Sequence, residues 1–78
     1  MMENLLNKNV TFFCLNYIYY GQVIAINKKT IELKNAHIVY ETGCFSENKF
    51  KDAQQLNAEI FYLTKSNVES FFIGNKNL

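Results

Sequence analysis

Tyr17 to Ile26 reads YIYYGQVIAI, a long strand by its β-branched and aromatic content, with a single glycine set inside it. A glycine at such a place marks a bend or the close approach of another backbone. A short sheet whose second strand bends sharply at Gly21 curls into a small barrel. At 78 residues the chain has room for one domain and little else.

The flanking segments fit that reading. VTFFCLN (10–16) is a first strand, broken at Asn16-Tyr17, and NKK (27–29) turns the chain into TIELKN (30–35). There Ile31 and Leu33 alternate with Glu32 and Lys34, as a half-buried strand requires. Asn35-Ala36 reads as a bulge or kink, after which HIVYE (37–41) continues the strand. Period two places Ile38 and Tyr40 on one face, predicted to be packed, and His37, Val39 and Glu41 on the other. Thr42-Gly43 ends this strand.

The next stretch, 44–57, changes character. Ser46 is a helix-capping type, and Phe50, Ala53 and Leu56 recur at spacing three, which predicts a short helix. AEIFYLT (58–64) and VESFFI (68–73) are strands around the turn KSN (65–67), and GNKNL is a fraying tail. At the start, ENLLNK (3–8) suits one or two helical turns, with Leu5 and Leu6 covering one end of the core. The expected fold is mainly all-β. It is a single domain over 1–78, a five-stranded barrel of the SH3 or Sm type. A short N-terminal helix precedes it, and a helical insertion at 42–57 comes before the last two strands.

A domain this small buries only about 60% of the surface its unfolded chain exposes. Cys14 and Cys44 are too few for a disulfide scaffold and read as reduced thiols. Hydrophobic residues make up 49% and aromatic residues 15%, more than so small a core can hold, so part of this surface is expected between copies of the chain. The start lacks a signal-peptide pattern and no stretch reaches a membrane span, so a cytoplasmic location without membrane contact is expected. All eight basic residues are lysines and the net charge is +1, without the strong field or arginine forks of a polyanion binder.

Catalytic chemistry finds little footing. His37 is the one histidine, and a general base needs an orienting partner and a nucleophile in reach. Glu41, four residues along the same strand, is too distant to orient it. One histidine and two separated cysteines make no zinc spacing, and the three glycines make no phosphate loop. The expectation is a binding protein, not an enzyme, with no cofactor. Tyr17 and Tyr19 share a face and Tyr20 opposes them; such rings either fill a core or a subunit seam, or stack bases. Lys28, Lys29 and Lys65 lie in turns, either solvated or gathered to meet phosphate.

GQVIAINKKTIELKN (21–35) resembles the first motif of Sm-like proteins, in particular the Hfq-like branch, through Gly21, Gln22, Val23, Ile26, Ile31, Leu33, Lys34 and Asn35. LTKSNVESFFI (63–73) is similar to the second motif, with Lys65 at its basic position and Val68 at its apolar one. LLNKNVTFFCLN fits the family's short helix and first strand. Asn27 stands where the family has aspartate, Ser66 where a histidine follows the lysine, and Lys29 near the base-packing aromatic. The resemblance implies a self-associating barrel, with single-stranded RNA as one partner.

LKNAHIVY (33–40) and the segment after it also resemble small phage-encoded proteins of unassigned function. That likeness implies a mobile-element origin and a role against host defence, by sequestering a nucleotide-like signal or by blocking a host protein. The 44–57 segment is one docking element for such a protein. The residues expected to meet a ligand are Tyr19, Asn27, Lys28, Lys29, His37, Tyr40, Glu41, Lys65 and Asn67.

Overall fold

The computed structural model describes residues 2–47 and 49–73. The tail GNKNL lies outside them. The strands are β1 (Asn9–Cys14), β2 (Ile18–Ile26), β3 (Thr30–Glu41), β4 (Asp52–Gln55), β5 (Phe61–Thr64) and β6 (Val68–Ile73). They form one antiparallel sheet in the order β4-β3-β2-β1-β6, with β5 also on β3. The all-β expectation therefore holds, with six strands where five were expected.

β3 organises the sheet. One of its edges pairs β2 along most of its length. The other is shared: Thr30–Leu33 pairs β5, and His37–Glu41 pairs β4. Between those halves Asn35 sits at φ 54, and an extra residue on β3 faces β2 between the pairs Gln22–Lys34 and Tyr20–His37. This is the bulge expected at Asn35-Ala36, and asparagine is among the few side chains that tolerate the left-handed region. Gly21 lies opposite it. A β-carbon there would stand 3.2 Å from Leu33 Cβ and 3.3 Å from Ala36 Cα, so the bulge packs directly on the glycine backbone.

A three-residue 3-10 turn (Lys65–Asn67) joins β5 to β6 and ties the sheet together. The amide of Lys65 donates to the carbonyl of Lys29 at 2.8 Å, in the turn after β2. The carbonyl of Asn67 accepts from the amide of Leu15 at 3.0 Å, in the turn before β2. A straight strand of nine residues would hold those turns about 26 Å apart. The 3-10 turn between them rises only about 4 Å. β2 is therefore strongly bent and the sheet curled, as the glycine within it implied.

The curl encloses Leu5, Val10, Phe12, Val23, Ile31, Leu33, Ala36 and Leu63. Leu5 comes from a 3-10 turn at Met2–Leu5, shorter than the expected 3–8 helix, and Leu6 stays exposed. A second cluster, Tyr20, Val39 and Phe50 with Ile18 and Ala53, forms on the opposite face. It corrects the reading of 36–43: Val39 is buried, while Tyr40 is 52% exposed. The alternation along 37–41 was read correctly. The packed face differs because the loop after β3 brings Phe50 over the side that carries Val39.

The helical insertion is also corrected. Residues 52–55 form β4, with Ala53 opposite Val39 and Gln55 opposite His37. A helix at 44–57 would gather Phe50, Ala53 and Leu56 on one stripe. Instead Phe50 and Ala53 join the outer cluster, and Leu56 packs on the inner one. Lysine, alanine and glutamine favour a helix locally, but a helix this short is marginal in water. Pairing the open edge of β3 satisfies its backbone groups and wins.

Phe50 is 8% exposed and meets the Tyr20 ring edge-on at 5.3 Å. Phe50→Ala should lower stability by roughly 2 kcal/mol, less than a fully enclosed ring would lose. The loop around it should become trypsin-sensitive at Lys49 and Lys51. Unchanged melting and an unchanged digestion pattern would mean the loop is not anchored there.

Candidate functional site

Two features meet beside the 3-10 turn. The first is a cleft of about 210 Å³ between the β1–β2 turn and β5, lined by Cys14, Leu15, Asn16, Tyr17, Tyr19, Phe61, Tyr62, Leu63, Thr64 and Asn67. Tyr19 points inward from β2 and stacks at a tilt on Phe61, ring centres 5.0 Å apart. Tyr17, on the same face, meets Tyr19 edge-on at 6.2 Å. Asn16, Thr64 and Asn67 line the cleft beside these rings. The second feature is an open groove lined by Lys28, Lys29, Thr64, Lys65 and Ser66, with no acidic residue among them. The bond from Lys65 to the Lys29 carbonyl holds the two turns together. Thr64 lines both cleft and groove, so the two adjoin at that residue.

Five of the nine expected contact residues gather here: Tyr19 and Asn67 in the cleft, and Lys28, Lys29 and Lys65 in the groove. Asn27 stands in the same β2–β3 turn, but its side-chain amide donates to Thr30 Oγ1 at 3.1 Å and to Glu32 Oε2 at 2.8 Å. It acts there as a turn staple. The remaining three lie on the other half of β3, with local partners. His37 Nδ1 is 2.9 Å from the Asn35 carbonyl; a carbonyl only accepts, so Nδ1 carries the proton in this bond. The Tyr40 hydroxyl donates to Gln54 Oε1 at 3.1 Å, and Glu41 pairs with Lys51 at 3.6 Å. The last two contacts brace the β3–β4 hairpin, and the first is local to β3. Phe61, Tyr62 and Thr64 were not anticipated in the site. They come from β5, and only the adjacency of Thr64 to Lys65 could have suggested them.

Burial pushes the Tyr19 hydroxyl above its ordinary value, with smaller contributions from charge on Cys14 and Tyr17. Burial alone raises Tyr20 and Cys14. In the unfolded chain these groups ionise at the ordinary values, about 8.5 for cysteine and about 10 for tyrosine. Stability is therefore full below those values and lost as the pH rises through the higher folded ones. The urea midpoint should be lower at pH 11 than at pH 8, and Tyr19→Phe should shrink the drop. An equal drop in the variant would assign the effect elsewhere.

Among the described residues, no cluster of three or more His, Cys, Asp or Glu could hold a metal, and no helix is long and apolar enough to cross a membrane. Cys14 is half-buried, and Cys44 is exposed with its Sγ 2.9 Å from Ser46 Oγ. No family model, curated protein or solved structure matches the chain.

Proposed function

We propose that this protein is a non-enzymatic, self-associating binding module of the Sm/SH3 small-barrel class that holds the phosphate of a nucleotide-like ligand. The role that fits is sequestration of such a ligand inside a host cell by a phage-type protein. The observation that carries the reading is a lysine groove and an aromatic cleft that share Thr64 in their walls. Cations beside stacking rings match a molecule that is anionic at one end and planar at the other. A barrel of this class is supported by the bent second strand and by the 3-10 turn that links the last two strands.

Self-association is supported by β6. It ends the sheet, so among the described residues one of its edges has no strand beside it. Phe71 and Ile73 stand opposite the buried Phe12 and Val10, on the same face, yet are 40% and 48% exposed. Glu69 is its one charged residue and it has no proline, so the usual protections of an edge strand are thin.

Calorimetry with inorganic pyrophosphate and a nucleotide panel tests the ligand. Saturable binding that weakens with salt is expected. No heat from any phosphate compound at low salt would end the reading. Native mass spectrometry should find more than one copy per particle, and a monomer at every concentration would remove the self-association.

A further inference from the structure

We infer that the site takes a single nucleotide, or a nucleotide end, with the base in the Tyr17–Tyr19 cleft and the phosphate in the groove of Lys28, Lys29 and Lys65. This rests on the phosphate-binding reading and adds the ligand's form and polarity. The cleft, at about 210 Å³, falls below the ~300–1,000 Å³ of sites that enclose drug-sized ligands. It has room for one planar ring system and not for a run of stacked bases.

The surroundings fit a base. Tyr17 is 52% exposed at the cleft, so its ring is open to a ligand, while Tyr19 stacks on Phe61. Asn16 and Asn67 are of the side-chain type that both donates and accepts, as the edge of a base requires. The positive charge is confined to the groove on the far side of Thr64, which fixes the direction of the ligand. Longer RNA would need phosphate contacts along an extended basic track, and a chain of net charge +1 is a poor source of one.

The test compares adenosine and uridine 5′-monophosphates with ribose 5-phosphate, inorganic pyrophosphate and a single-stranded oligonucleotide, at low and physiological salt. Both nucleotides should bind about fivefold or more tighter than ribose 5-phosphate, the increment expected of one stacked base. Tyr17→Ala, at an exposed position, should erase that increment while leaving pyrophosphate affinity and the melting temperature unchanged. Ribose 5-phosphate binding as well as the nucleotides would overturn this inference and leave the phosphate reading standing. So would an increment that survives Tyr17→Ala. An oligonucleotide that binds far tighter, with a steep loss in salt, would replace it with an RNA site. If pyrophosphate and nucleotides alike fail to bind, both readings fall.

Discussion

Phe12→Ala should destabilise the protein by about 3–5 kcal/mol, the usual cost of deleting a fully enclosed aromatic ring. Phe12 has no exposed surface. It lies at the centre of the curl, on a strand paired with both β2 and β6, opposite Tyr19 on one side and Phe71 on the other. The Phe71 ring is 6.1 Å away. A domain of this length has roughly 4–12 kcal/mol in total, so the variant should be largely unfolded or close to it at 25 °C.

Phe45→Ala provides the contrast. Phe45 is 59% exposed and meets Phe13 and Phe72 on the outside of the sheet, so its loss should matter by about 1 kcal/mol or less. Urea midpoints at one fixed protein concentration measure both, since association would otherwise shift them. Equal losses in the two variants would mean that the curl does not enclose a core around β1.

Replacing Lys28, Lys29 and Lys65 together by glutamine should weaken binding of a phosphate ligand about 10- to 100-fold. Lys28 and Lys29 are exposed and Lys65 is partly so. Each contact is accordingly worth a fraction of a buried ion pair, about 0.5–1 kcal/mol apiece. Stability should barely change, because the bond that joins the two turns runs from the Lys65 amide to the Lys29 carbonyl, both backbone. Lys8, Lys34 and Lys51 form the matched control. They are exposed, do not line the groove, and removing them changes the net charge by the same amount. Comparable weakening in the control would assign the effect to the overall field and sink the site. The difference between the two triples should narrow as salt is raised.

Much of the fold was legible because it depends on local chemistry. Asn35-Ala36 announced the bulge, since few side chains tolerate the left-handed backbone of Asn35, and Gly21 announced the close approach of that bulge. Period-two alternation placed Ile31 and Leu33 inside. The segment 50–56 was misread because its spacing suits a helix equally well, and nothing local reveals that half of β3 lacks a neighbour. The burial of Val39 in place of Tyr40 followed from the same omission, because the face that is packed depends on where the later loop returns. Of the site, the lysines were legible as turn residues, and their association was suggested only by resemblance. The cleft was not legible, because Tyr19 and Phe61 are brought together by the curl.

The residue order alone determined five of the six strands, the bulge at Asn35-Ala36 and the types of side chain available to a ligand, because propensity, alternation and backbone tolerance act over a few residues. Only the tertiary structure decided which edge 52–55 would complete, which face of 37–41 would be covered, and that the aromatic cleft and the lysine groove would meet at Thr64. Those outcomes depend on satisfying backbone and apolar surface between segments far apart in the chain, and no short window of sequence contains both partners.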